Sequence, residues 1–377
     1  KFISDAKLRA GYGVTGNSLG FDPLLSVFRY GTVGTYYNNG NYEQALGSLA
    51  NINSDLKWEK TSMLNLGLDF GMFKDKITGS IDVYQKNTSD LIFFYPVSTT
   101  LFVHSTMTAN VGEISNKGIE FAIQATAVER GKFSWNINAN IAHNKNRVEK
   151  LSNFEYQLDS IATAAGSGAG VTGVFTQIIK EGYPIGQFNV FEFAGRNENG
   201  VSTYYTADGS TTAAPRSPAD ARLMGNAQPK FTYGIGNTFN YGNWSLNVFM
   251  RGVYGNQILN STRAVLSATS QAYLRNIPLS AQDEPMSDTN NNFYSDRYLE
   301  SGSFLRMDNA TLAYNFPIRG NQIKNLNVYV TGTNLFVITK YTGIDPEVNL
   351  GGLTPGFDNN NFYPRTRGFL LGLTLDF

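Results

Sequence analysis

GFLLGLTLDF, residues 368–377, is the stretch whose reading decides the fold. Side chains alternate along a strand with a period of two. Phe369, Leu371, Leu373, Leu375 and Phe377 therefore share one face, while Gly372, Thr374 and Asp376 share the other. An apolar row opposite a polar row, ending on an aromatic residue, suits a strand with lipid on one side and a wet lumen on the other.

The same alternation recurs upstream. In Ser62 to Phe73, Leu64, Leu66, Leu68, Phe70 and Met72 oppose Asn65, Gly67, Asp69 and Gly71. In Lys76 to Lys86, Ile77, Ile81 and Val83 oppose Thr78, Ser80, Asp82 and Tyr84. In Gly118 to Ala127, Ile119, Phe121 and Ile123 oppose Glu120, Gln124 and Thr126. In Phe133 to Asn144, Phe133, Trp135, Ile137 and Ile141 oppose Ser134, Asn136, Asn138, Asn140 and Asn144, a row too polar for a dry core. Lys7 to Gly13, Lys230 to Tyr241, Trp244 to Tyr254, Leu305 to Phe316 and Asn325 to Phe336 complete the set. That makes about ten strands, each near the roughly 9–11 residues a tilted membrane strand needs.

The connections alternate in length. Lys74-Asp75, Glu129-Arg130-Gly131, Tyr241-Gly242-Asn243 and Pro317 to Lys324 are short, whereas 14–61, 88–117, 146–229, 255–304 and 337–367 are long. Membrane barrels place short turns on the periplasmic side and long loops outside. The expected class is therefore all-β, a transmembrane antiparallel β-barrel in a bacterial outer membrane. Charged residues make up only 16% of the 377 and aromatics 13%, and no run approaches the ~20 apolar residues of a membrane helix. Thirty basic and thirty acidic residues cancel, so nothing points to nucleic acid. The absence of cysteine removes disulfides, thiolate metal sites and a cysteine nucleophile. The chain starts at Lys1 without a signal peptide, and an exported barrel needs one, so an upstream portion is expected. An open sheet in lipid would leave edge groups unpaired, so the remainder of the barrel is an expected partner.

Several blocks resemble the SusC/RagA family of TonB-dependent outer-membrane transporters from Bacteroidetes. They are LRAGYGVTGN (8–17), LKWEKTSMLNLGLDF (56–70), ITGSIDVYQKNTSDL (77–91), NVGEISNKGIEF (110–121), SGSFLRMDNATLAYNF (301–316), VYVTGTNLFVITKYTGIDPEV (328–348) and YPRTRGFLLGLTLDF (363–377), in that order. The resemblance implies that residues 1–377 are about ten to twelve C-terminal strands of a barrel of about 22 strands. The plug domain and N-terminal region would lie upstream. It also implies import of a bulky nutrient, an oligosaccharide or peptide, driven by TonB with ExbB and ExbD, alongside a SusD-like surface lipoprotein. An alternative role is that of a structural subunit in a larger outer-membrane assembly. Neither role involves an enzyme, a cofactor or a resident metal.

Candidate sites follow from residue types. Loop aromatics Tyr36, Tyr37, Phe102, Tyr204, Tyr205, Phe293, Tyr294 and Phe362 are the ligand candidates, because aromatic faces stack on sugars or peptide side chains. Packing of loops on one another is the competing reading. Trp58, Trp135, Tyr241, Trp244 and Tyr254 sit near strand ends, where barrels carry aromatic girdles against outer-membrane lipid. The closing row from Phe369 to Phe377 resembles an insertion signal for the barrel-assembly machinery. Arg251 and Lys86 fall on polar rows and are expected to face the lumen. Two GxGxxG matches, Gly11–Gly16 and Gly168–Gly173, lack the strand-then-helix context of a dinucleotide site. The two histidines, His104 and His143, have no GxSxG elbow to serve, which argues against a hydrolase. Asp283-Glu284, Asp288 to Asn292, Asp345 to Glu347 and Asp358 to Asn361 supply oxygen ligands without the spacing of a calcium loop, so turn chemistry competes there.

Overall fold

A computed structural model describes residues 2–17, 23–168, 170–274, 276–318, 323–348, 351–359 and 363–376. Ten antiparallel strands form one sheet in chain order: β1 (Ile3–Asn17), β2 (Glu59–Met72), β3 (Ile77–Pro96), β4 (Thr106–Arg130), β5 (Phe133–Lys150), β6 (Phe231–Tyr241), β7 (Trp244–Tyr254), β8 (Phe304–Pro317), β9 (Asn325–Thr339) and β10 (Gly368–Asp376). Each expected strand is present, and neighbours in the sheet follow one another in sequence among these ten strands. Among the described residues, β1 and β10 pair on one side only.

Register carries the alternation from strand to strand. Leu8, Leu68, Ile81, Phe121 and Ile141 stand in one row across five strands. Leu312, Val330 and Leu371 continue such a row across β8, β9 and β10. No second layer covers this apolar face: Leu64 is 47% and Leu373 67% exposed. The opposite face carries Gly67, Asp82 and Glu120 in one row, Asp69 and Ser80 in the next, and Asn136, Asn138 and Asn140 beside Thr238, Gly236 and Gly234 in others. A sandwich would bury the apolar row, so the exposed Leu64 and Leu373 decide against it.

Two departures from the period have local remedies. Asn237 lies on the apolar face, and Trp135 Nε1 donates to its Oδ1 at 3.0 Å, so an amide there is not left bare. Two glycines within strands lie beneath aromatic rings. Tyr84 covers Gly118 and Tyr329 covers Gly372, filling space that a side chain on the glycine would need. At the short turns Gly131 and Gly242 take φ of 58° and 57°, the left-handed values that tight hairpins require.

One expectation about length is corrected. Residues 88–117 are not a long excursion, because β3 runs on to Pro96 and β4 starts at Thr106. Past the register of the shorter strands these two continue as a ribbon, whose Tyr95, Ala109 and Val111 pack under Tyr156 and Leu158.

The other long links are also structured. Segments Ser160–Ala165, Phe175–Lys180, Gln187–Val190 and Arg222–Asn226 make a four-stranded sheet, and Phe193–Arg196, Ser202–Tyr205 and Thr211–Thr212 a three-stranded one. A short helix, Ser261–Leu266, is capped by Asn260, whose side chain accepts from the Arg263 amide at 2.9 Å. Phe188, Leu259, Ala264, Tyr294, Tyr298 and Phe357 form a common buried core drawn from three separate links. The long links thus build one cap on a single end of the sheet. The hairpin Tyr30–Asn38/Asn41–Ser48 stands at the same end with most of its side chains exposed.

Candidate functional site: the polar face and its cap

The polar face holds two charge clusters. On β1 to β3, Arg9 donates through Nε and Nη2 to both oxygens of Asp69, each at 2.8 Å, and Nη2 also reaches Asp82 at 3.1 Å. Two parallel bonds between planar groups make a geometrically specific pair. The second cluster ties the cap to the wall. Arg251 on β7 and Arg306 on β8 are register partners. Arg251 grips Glu347 with Nη1 and Nη2 at 2.7 and 2.9 Å, and its Nε meets Asp308. Arg306 holds Asp345 at 2.6 Å, lies 2.7 Å from Glu347 and donates to Asn334. Arg365 approaches Glu347 at 3.4 Å. Asp345 and Glu347, in the link after β9, are thereby pinned over the polar face.

Between these clusters the wall carries Glu120 among neutral amides and hydroxyls. Thr126 donates to Asn136, and Asn144 and Asn146 both donate to Asn116. A recess of about 770 Å³ lies on the polar face, lined by Asp69, Thr78, Ser80, Gln124, Asn138 and Asn140 among others. Arg251 faces inward as expected, and Lys86 is exposed on the polar face of β3.

The cap carries its own ionic network. Asp288, fully buried, accepts from the Ser202 hydroxyl at 2.6 Å and the Ser202 amide at 3.0 Å, and pairs with Arg196 at 3.3 Å. Glu284 joins Arg196 and accepts from Arg297 at 2.6 Å. Asp358 accepts from Tyr341 at 2.6 Å, and burial pushes that phenol well above its ordinary range. The acidic runs read above as possible oxygen cages thus spend Asp345, Glu347, Asp288 and Asp358 on arginine, serine and tyrosine partners.

The ligand candidates divide. Tyr204 (0% exposed) and Tyr294 (2%) are corrected to cap core: Tyr204 donates to the Asn290 carbonyl at 2.6 Å, and the Tyr294 hydroxyl lies 2.7 Å from that of Ser261. Phe293 packs on Tyr204 at 5.7 Å. Tyr205 is half-buried under Arg222, whose guanidinium is 5.5 Å from its ring. Tyr36, Tyr37 and Phe102 are exposed; the Tyr36 hydroxyl donates to Glu43 at 2.9 Å. Phe362 and Phe377 lie outside the described residues.

The girdle candidates stand on the apolar face. Tyr241 and Trp244 are paired at the short-turn end, with Trp135 beside them on the same face. Tyr254 stacks on Phe231 at 5.0 Å toward the cap end, where Trp58 is also exposed. Phe369, Leu371 and Leu373 form the exposed outer row of β10, and Leu375 is 39% exposed. His104 Nε2 faces the Ser48 carbonyl at 2.9 Å, and His143 Nδ1 faces the Lys230 carbonyl. Gly11 to Gly16 run within β1, and Gly170 to Gly173 lie in a turn of the cap, so among the described residues neither GxGxxG match opens a helix.

Sequence reasoning missed Arg306 and the pinned link. The available signal was a second cation, Arg306, on a strand whose partner row already held Arg251.

Comparison with known proteins gives a consistent answer. A family profile described as TonB dependent receptor-like, beta-barrel matches residues 1–335. TonB-dependent receptor P3 of Formosa agariphila is 32% identical over all of this chain and 40% of its own length. TonB-dependent receptor SusC of Bacteroides thetaiotaomicron is 31% identical over all of this chain and 38% of its own. The chain thus spans about 40% of the length of these curated relatives. The structure of the RagAB peptide transporter superposes with a TM-score of 0.79 at 24% identity, covering 99% of this chain and 41% of that one, a likeness of fold.

Proposed function

Because this chain belongs to the TonB dependent receptor-like β-barrel family of outer-membrane proteins, we propose that residues 1–377 form the C-terminal wall and extracellular cap of an active importer of SusC type. In this reading the barrel closes to about 22 strands with chain outside this sequence. A plug, likewise outside it, fills the lumen and is pulled by TonB with ExbB and ExbD. A SusD-like lipoprotein delivers a bulky nutrient, an oligosaccharide or a peptide, to the cap.

The carrying observation is the division of faces: an exposed apolar row on one side, and on the other a hydrated wall onto which a cap segment is pinned by Arg251 and Arg306. A wall lined by Asn138, Asn140, Gln124 and Ser80, with Asp69 paired to Arg9, offers cargo hydroxyl or peptide groups hydrogen-bond partners. The exposed Tyr36, Tyr37 and Phe102, with the partly covered Tyr205 and Phe293, are the proposed cargo or lipoprotein contacts. Arg and Asn side chains here position and line a path, and no covalent step is involved.

The test is deletion of the intact gene in its own host. Growth on one polymeric nutrient should stop while growth on its monomer continues. The same loss should follow when the TonB contact is removed. Undiminished growth on every polymer tried would leave the scaffold role instead.

A further inference from the structure

Lys117 on β4 and Lys145 on β5 are direct register partners. They share a row parity with Ile119, Phe121 and Ile141, so both project from the lipid side of the wall rather than into the lumen. Both are exposed, and among the described residues neither ammonium has an acidic partner within ion-pair distance. Gln85, their neighbour on β3, adds no charge. Like charges directly opposite on a sheet repel, so the bare pair is unfavourable without a counter-ion.

Their height along the wall identifies the counter-ion. Phe231 and Tyr254 stack at the cap-side limit of the apolar band, level with His143. Aromatic girdles mark the boundary of the hydrocarbon. Lys145 lies two residues further out, roughly 7 Å at the strand rise. That is the depth of the lipid headgroups on the extracellular side. Anionic headgroups attract juxtamembrane lysines, and two ammonium groups on facing strands bracket one phosphate.

We infer that Lys117 and Lys145 seat a phosphate group of an outer-leaflet lipid, which becomes a bound annular lipid of the barrel. The inference rests on membrane placement and is independent of the cargo.

The intact protein, purified in mild detergent from its own outer membranes, carries the test. Native mass spectrometry counts phosphorylated lipid retained per molecule. The double variant Lys117→Gln/Lys145→Gln should lose about tenfold of that lipid. Lys117→Arg/Lys145→Arg, which keeps both charges, should retain it. Lys76→Gln, at the periplasmic turn, should behave as wild type. Equal retention by the glutamine variant overturns the inference, as does equal loss in Lys76→Gln. Wild-type protein that holds added inorganic phosphate in a lysine-dependent way, yet retains no lipid, also overturns it.

Discussion

The guanidinium of Arg306, 1% exposed in the wall, holds the Asp345 carboxylate of the folded-in link at 2.6 Å. The two residues are 39 apart in sequence, and both are buried. Breaking such a buried pair by removing one partner costs about 3–5 kcal/mol, because the remaining charge is left uncompensated. Arg306→Met should therefore free the link 337–367 while the strands stay paired. Limited proteolysis should cut within 341–359 at least tenfold faster, and heat-modifiable gel mobility should be kept. An unchanged cleavage rate would mean that Arg251 alone pins the link.

Adjacent residues on β2 test the assignment of faces. Leu68 stands in the apolar row and Asp69 pairs with Arg9 on the polar face. Leu68→Arg places a cation toward hydrocarbon, at about 2–4 kcal/mol near the midplane. Its yield of assembled barrel in the outer membrane should fall severely. Asp69→Asn keeps hydrogen-bond acceptors in a hydrated lumen and should lower yield only slightly. Equal yields would show that the faces are reversed.

The ring of Tyr329 occupies the space above Gly372. A Cβ built on Gly372 would meet it at 2.3 Å. Gly372→Val should cost about 1–3 kcal/mol as an overpacking change. Tyr329→Ala should be mild alone and should rescue Gly372→Val, since the clash is with that ring. A double variant as unstable as the sum of the singles, measured by thermal loss of heat-modifiable mobility, would point to backbone strain instead.

Asp208, in a cap turn, accepts from the Thr206 hydroxyl and from the Ser210 amide and hydroxyl, and these bonds hold its carboxyl down at about 2. A depressed carboxyl stabilises the turn above its unfolded value near 3.8, and that contribution is lost as pH falls toward 2. Carboxyl ¹³C chemical shifts should give Asp208 a midpoint near 2. Thr206→Val should move the midpoint upward. A midpoint near 4 in the native protein would mean the turn does not hold its bonds in solution.

Periodicity made the wall legible from sequence. All ten strands were placed because burial and exposure alternate residue by residue where lipid faces water, and Trp244–Tyr254 matches its expected limits. Strand length was legible only within that band. Beyond it, β3 and β4 continue as a ribbon whose Tyr95 and Ala109 contact Tyr156, a residue from a different link. The cap was illegible for the same reason. Phe188, Leu259 and Phe357 come from three different links, and only folding brings them into one core.

The local order of residues in this chain determined which side of each strand meets lipid, because neighbours two apart share a face whatever the rest of the chain does. Which acid meets Arg251 and which tyrosines are hidden were decided by tertiary structure alone. Glu347 is 96 residues from Arg251, and no pattern along the chain encodes a contact formed by closing so long a loop.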